Sequence, residues 1–190
     1  IRDSAQTTLR PAIEGYYRAM SDVAARVMTA FAEALGLAPD FFAPFIDRHG
    51  SAQRLAHYPG LDDTPPPGAF RAGAHSDYGT LTILRTDHVS GLEVLDARGG
   101  WSQVEPNPEM FVVNLGDSIA QWTNDRWRST LHRVSPSSEA ERQSFAFFHM
   151  ANWDAVIECL PTCLEPGDEP RHEPVQAGPW LMRKFQSTVT

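Results

Sequence analysis

Ala74-His75-Ser76-Asp77-Tyr78-Gly79-Thr80-Leu81-Thr82-Ile83-Leu84-Arg85 joins a candidate ligand pair to a β-forming run, and its reading decides the fold. From Gly79 to Arg85 the threonines and branched apolar residues follow one another with no charge until the end, a composition that suits a strand better than a helix. Just before that run an imidazole and a carboxylate stand at i and i+2, and on an extended chain those two side chains leave the same face. His75 and Asp77 together can hold one metal ion. Alone the pair says little, since seven histidines in a chain with 24 acidic residues yield such a spacing by chance. A His and an Asp flanking a surface turn is the plain alternative.

Runs of the same kind recur on either side: Arg54–Tyr58, Gly91–Leu95, Trp101–Val104, Met110–Asn114, Ser118–Thr123, Trp127–Val134 and Arg142–Met150, separated by Gly, Pro and Asn/Asp. About eight strands with no helix between them predict an antiparallel sandwich or barrel-like fold. Asn124-Asp125 is expected at a hairpin tip between Ser118–Thr123 and Trp127–Val134. Thr64-Pro65-Pro66-Pro67-Gly68 must be a loop. Upstream, Ile13, Tyr16, Met20, Val23, Val27, Phe31 and Leu35 recur at three- and four-residue steps, so one long helix is expected over Leu9–Gly36, with Pro11 near its start and Gly36 at its end. Phe41–Ile46, interrupted by Pro44, allows only a turn or two. Past Ala151 the chain is Pro-rich and irregular until a terminal helix over Trp180–Ser187.

The 190 residues suit a single domain, and 16 Lys+Arg against 24 Asp+Glu give a net charge of −8. No general positive field exists to hold phosphate backbones or anionic lipid, so nucleic acid and membrane surfaces are not expected as partners. With 42% hydrophobic residues and no uncharged run near the ~20 residues of a membrane span, the chain reads as soluble and globular. Cys159 and Cys163 are expected as free thiols. No secretory leader is read at the start, so a reducing cytoplasm is the expected location.

A third metal ligand must come from elsewhere, and His132 in Ser129-Thr130-Leu131-His132-Arg133-Val134 is the best candidate. Two imidazoles and one carboxylate on one side of an ion suit non-haem Fe(II) that must also take O2 and an organic co-substrate; zinc would accept the same ligands. His49, His57, His88, His149 and His172 lack a carboxylate at metal spacing and are expected in structural or surface roles. Asp117, within an apparent Gly-Asp turn, is the alternative carboxylate. Ten residues after His132, Arg142 and Ser144 share a strand face and together could clasp a carboxylate, with a structural Asp or Glu as the ordinary alternative. Arg133-Val134-Ser135 repeats the pattern but ends in Pro136. Phe111, Trp122, Trp127, Phe145, Phe147 and Phe148 are expected mainly in the core, with Phe148 the first candidate to touch substrate.

Ala74–Thr82, Asn114-Leu115-Gly116-Asp117, Trp122-Thr123-Asn124, Ser129–Val134 and Glu141-Arg142-Gln143-Ser144-Phe145, in this order over roughly residues 50–155, resemble the Fe(II)/2-oxoglutarate-dependent oxygenases of the isopenicillin N synthase-like superfamily. The resemblance implies a mainly β fold with flanking α, a double-stranded β-helix (jelly-roll) core preceded by a long helix. It divides the chain into a helical support segment (1–50), the oxygenase core (51–155), and a C-terminal loop and helix packed on the core (156–190). It makes His75, Asp77 and His132 the iron ligands, Arg142 and Ser144 the clamp for the distal carboxylate of 2-oxoglutarate, and Tyr58 a further contact to that co-substrate. Many relatives carry Asn-Tyr where this chain has Ala56-His57. Relatives also usually carry a further segment before the long helix, so a piece of a longer protein or a reduced variant is implied. The expected activity is oxidation of a small organic substrate by O2, with succinate and CO2 released. An iron oxidase of the same superfamily that uses no 2-oxoglutarate, and an inactive jelly-roll binding module, are the alternatives.

Overall fold

The computed structural model describes residues 2–60, 65, 66, 68–136 and 140–188. Helix α1 (Arg2–Ala34) is followed by a one-turn helix α2 (Ala43–Ile46) and then by the strands β1 (Ala52–Tyr58), β2 (Ala72–His75), β3 (Leu81–Thr86), β4 (Leu92–Leu95), β5 (Trp101–Gln103) and β6 (Val112–Leu115). Helix α3 (Asp117–Trp122), β7 (His132–Val134), β8 (Arg142–His149), β9 (Val156–Ile157), β10 (Val175–Gln176) and helix α4 (Ala177–Thr188) complete the chain. Two antiparallel four-stranded sheets form, in the orders β1-β8-β3-β6 and β2-β7-β4-β5. They face each other across a cavity lined from both sheets, which is the jelly roll the motifs imply.

The two faces of the first sheet do different work because side chains alternate along each strand. On the outer face Leu81, Ile83 and Phe147 are fully buried beneath Met20, Ala24, Met28 and Ala32 of α1, so the apolar core lies between that sheet and the helices. Alanines at 24 and 32 let the helix backbone come close. The Tyr17 ring meets Phe147 edge-on at 5.3 Å, and its hydroxyl donates to the Ser51 carbonyl at 3.0 Å. The inner face carries Thr82, Leu84, Arg142, Ser144, Ala146 and Phe148 into the cavity.

Several elements differ from expectation. Helix α1 begins earlier than Leu9, so Pro11 lies within it rather than at its start. It closes as expected at Gly36, whose φ of 72° lets Leu37 N–H reach the Ala32 carbonyl at 2.9 Å. Ser118–Thr123 is not a strand but most of α3. Asp117 stands in the first turn, where a carboxylate is favoured, and Ile119, Ala120 and Trp122 bury against the core. Asn124 and Asp125 have φ of 54° and 62° and end that helix, with Asp125 N–H on the Ala120 carbonyl, so they form no hairpin tip. Of Trp127–Val134 only the last three residues pair as a strand. Two short strands, β9 and β10, pair within the segment read as irregular. Phe111 is 42% exposed rather than part of the core. Residues 64 and 67 of the Thr64–Gly68 loop lie outside the described residues. Among the described residues no helix is long and apolar enough to cross a membrane.

His149, at the end of β8, is wholly buried on the helix side of the sheet, its Nδ1 2.7 Å from Thr80 Oγ1. Burial, reinforced by the neighbouring His49, pulls its pKa from 6.5 down to about 3. The native ring therefore stays neutral at pH values where the unfolded chain takes up a proton. Stability is expected to fall as pH drops below 6.5, with this residue adding about 1.4 kcal/mol per pH unit until pH approaches its native pKa. Urea unfolding from pH 6.5 to 4.5 checks this: His149→Leu should flatten the decline.

Candidate metal centre

His75 ends β2 and His132 begins β7, and the two are direct partners in the ladder, with ring centroids 4.3 Å apart. The pairing shifts register between Ala72 and His75. This bulge lets two residues three positions apart both line the cavity, which a regular strand forbids. Each imidazole is oriented the same way: Nδ1 of His75 lies 2.8 Å from the Gly73 carbonyl, and Nδ1 of His132 lies 3.0 Å from the Thr130 carbonyl. A carbonyl only accepts, so each Nδ1 is the donating nitrogen, which turns each Nε2 toward the cavity as the atom able to ligate an ion.

Asp77 is not on a strand, since β2 stops two residues earlier; its position is set by backbone contacts. Its carbonyl accepts from Asp117 N–H at 2.8 Å, the Tyr78 carbonyl accepts from the Ser118 hydroxyl at 2.9 Å, and the Gly79 carbonyl accepts from Ser118 N–H at 3.1 Å. The buried carboxylate is itself oriented: Oδ2 accepts from Thr82 Oγ1 at 2.6 Å and from Asn114 Nδ2 at 2.8 Å. Oδ1 is left facing His132, 3.9 Å from Nε2. That gap is too long for a hydrogen bond and short enough for both atoms to reach one ion. One ligand atom from each of His75, Asp77 and His132 lies within 4.8 Å of the others, so the three expected ligands come together. Two imidazoles and one carboxylate fit Fe(II), the ion to which such a facial set is suited.

The cavity that these three open onto has a volume of about 470 Å3. At its far end lies Arg142, 2% exposed, whose Nε and Nη1 are buried with no hydrogen-bond partner. Burial pulls its pKa below the usual arginine value, with Tyr58 the largest opposing influence. Tyr58 is its direct partner across the β1–β8 ladder, with the guanidinium carbon 5.3 Å from the ring centroid, and Ser144 lies two residues further along the same face. Among the described residues Arg142 makes no ion pair with an acid, the ordinary alternative, and Asp87 acts on the guanidinium only as a nearby charge. Phe148 also lines the cavity, opposite Thr82 in the ladder. Ala56, where many relatives have Asn, brings only a methyl group to this face, and His57 meets Glu141 at 3.3 Å.

Asp117, the alternative ligand, is bound to Lys184 of α4 at 3.0 Å and holds the metal turn only through its backbone. His172 pairs with Asp125, and His49 packs against His149. Cys159 and Cys163 are free. Sequence reasoning missed the roles of Thr82 and Asn114. Both stand in the quoted motifs, but only the β3–β6 register, which pairs them, shows that they meet at one carboxylate.

A two-sheet jelly roll enclosing a two-histidine, one-carboxylate set is a protein of the non-haem iron class. The chain matches the 2OG-Fe(II) oxygenase superfamily over residues 49–151, just over half its length, and belongs to that family. It is 39% identical over 162 residues to the 2-oxoglutarate-Fe(II) type oxidoreductase hxnY of Emericella nidulans, covering 84% of this chain and 46% of that protein. It is also 39% identical over 142 residues to gibberellin 20 oxidase 1 of Arabidopsis thaliana, covering 75% and 37%. The chain thus spans less than half the length of these relatives. Among solved structures, full-length Neurospora crassa T7H in complex with alpha-KG superposes with a TM-score of 0.90 at 31% identity, covering 95% of this chain and 57% of that one. JOX2 in complex with 2OG, Fe and JA gives 0.85 at 31% identity, covering 93% and 52%. The family's cofactors are Fe(II) and 2-oxoglutarate.

Losing the groups that orient a metal-bound carboxylate typically costs 10- to 100-fold in metal affinity. Thr82→Val and Asn114→Leu are each expected to weaken Mn(II) binding by about that range while leaving the thermal midpoint of the metal-free protein within a few degrees. Calorimetric titration with Mn(II) and a melting curve without metal together check it.

Proposed function

We propose that this chain carries the active centre of an Fe(II)- and 2-oxoglutarate-dependent oxygenase that oxidises a small organic substrate. The observation that carries this reading is the buried guanidinium of Arg142, whose Nε and Nη1 have no hydrogen-bond partner, at one end of a cavity whose other end holds His75, Asp77 and His132. The chemistry supplied here by Fe(II), 2-oxoglutarate and O2 is oxidation of the substrate with release of succinate and CO2. His75, Asp77 and His132 hold the ion. Arg142 and Ser144 receive the far carboxylate of the co-substrate, and Tyr58 flanks it. Thr82 and Asn114 keep Asp77 turned so that one oxygen faces the ion, and the apolar walls Leu84, Val112 and Val134 exclude water. Phe148 is the proposed substrate contact. An iron oxidase of the same superfamily that uses no 2-oxoglutarate can set such an arginine on a carboxylate of its own substrate, so formation of succinate is the outcome that separates the two readings. The two free thiols and the chain's acidity suit a cytoplasmic location.

Anaerobic addition of Fe(II) and 2-oxoglutarate should produce the weak visible charge-transfer band of a 2-oxoglutarate chelate; its absence at saturating concentrations overturns the reading. A charge-assisted contact to a buried arginine is worth about 1.5–3 kcal/mol, so Arg142→Ala is expected to weaken 2-oxoglutarate binding by about 10- to 150-fold. Asp77→Ala should lose most bound iron, measured by metal analysis after desalting.

A further inference from the structure

We infer that Asp87 is a positioning residue for the co-substrate clamp: through the backbone of Gln143 it fixes the start of β8, and so sets how well Arg142 and Ser144 hold the far carboxylate of 2-oxoglutarate. The inference rests on the reading of the site as a 2-oxoglutarate oxygenase centre and adds to it a residue that does not line the cavity.

Arg142 is the first residue of β8, and on the β1 side its partner, Tyr58, is the last residue of β1. On the β3 side the paired positions run from His149 opposite Leu81 to Ser144 opposite Thr86, where β3 ends. The same register continued would set Asp87 opposite Gln143, and in a regular antiparallel ladder two such residues can exchange both N–H···O=C bonds. Backbone makes only half of that exchange, with Asp87 N–H donating to the Gln143 carbonyl at 3.2 Å. The side chain makes the other half: Gln143 N–H donates to Asp87 Oδ2. The carboxylate thus stands in for a backbone carbonyl and lengthens the ladder by one rung past the end of β3. That rung grips the residue between Arg142 and Ser144. Gln143 sends its own amide to Glu141 at 2.9 Å, so what it gives the clamp is its backbone.

The second oxygen has a related effect. Asp87 Oδ1 accepts from Val89 N–H at 2.9 Å, a side-chain turn that swings the chain out of the sheet. Val89 and Arg142 then line one small cleft together with Thr86, Leu92 and Val112, so the turn backs the arginine on the side away from the co-substrate. Both Asp87 oxygens are taken by backbone N–H groups. The carboxylate therefore brings a negative charge near Arg142 without occupying the guanidinium, which stays open to a ligand. A clamp on the first residue of a strand is held only as well as that strand end is held, and small displacements of a binding group are costly in affinity.

The test is a double-mutant cycle on Mn(II)-loaded protein, with 2-oxoglutarate titrated by calorimetry into the parent, Asp87→Ala, Arg142→Ala and the double variant. Asp87→Ala is expected to weaken 2-oxoglutarate binding about tenfold, the size of one charge-assisted contact, while Mn(II) affinity stays within about twofold of the parent. In the Arg142→Ala background, where the clamp is already lost, the same change should cost about twofold at most. Asp87→Asn, which keeps one acceptor oxygen, should show the same pattern at about threefold, and it carries the cycle if Asp87→Ala gives no cooperative melting transition. Unchanged 2-oxoglutarate affinity in the Asp87 variants, a loss as large in the Arg142→Ala background as in the parent, weakened Mn(II) binding, or loss of the melting transition in both variants overturns the inference and leaves the oxygenase reading standing. Failure of the parent protein to bind 2-oxoglutarate, or full affinity for it in Arg142→Ala, removes that reading of the site first, and the inference with it.

Discussion

The turn that carries Asp77 reaches its place only because two glycines let three stretches of backbone meet. A Cβ on Gly79 would strike the His149 carbonyl, and one on Gly116 would strike the Gly79 carbonyl. With hydrogen at both positions, Thr80 N–H bonds the His149 carbonyl at 2.9 Å, Gly116 N–H bonds the Thr80 carbonyl at 3.0 Å, and α3 starts directly against the turn. The end of β8, the start of β3 and the β6–α3 junction are thereby tied at one point. Asp77 hangs from that knot, while the two histidines come from the opposite sheet. The ligand set exists only when the sheets are held in this relation, so the metal position reports on the tertiary fold and not on any local segment.

The same knot separates two environments. Outward, β3 and β8 give Leu81, Ile83, Phe147 and His149 to the helices, and the packing there is dry enough to keep an imidazole neutral. Inward, the alternate residues of the same strands line a polar-ended cavity. A close-packed interior between the sheets would leave no room for a co-substrate. This fold places its apolar core behind the sheet instead, and α1 supplies what the opposite sheet does not. Helix α1 is in this sense part of the site: it makes the first sheet rigid from behind, so its front can stay open.

What could be read from the sequence follows from which forces are local. The long helix was legible because Met20, Val23, Val27 and Phe31 repeat at helical spacing and Gly36 supplies the left-handed turn after it. The strands were legible from their composition, and the triad from a family pattern spread over the chain. Ser118–Thr123 misled because six residues with Ile and Trp suit a short strand as well as a buried helix. What decides between them is the contact of Asp117 and Ser118 with the turn at 77–79, which lies some forty residues away. The bulge at Ala72–His75 and the meeting of Thr82 with Asn114 were invisible for the same reason, since register between distant strands leaves no mark in either strand alone.

Arg142 shows how the site and its stability are linked. Burying a guanidinium without a paired acid costs several kcal/mol, and Nε and Nη1 make no hydrogen bond that would offset it. The Tyr58 ring and Asp87 offset part of that cost, as their influence on the arginine's pKa shows, and Arg71 adds to it. An apolar replacement would make a more stable sheet. Retaining the charge leaves a deficit that a bound carboxylate would remove, so a co-substrate seated there, as proposed, would also strengthen β1–β8, the pair that carries Tyr58 and Arg142 on facing positions.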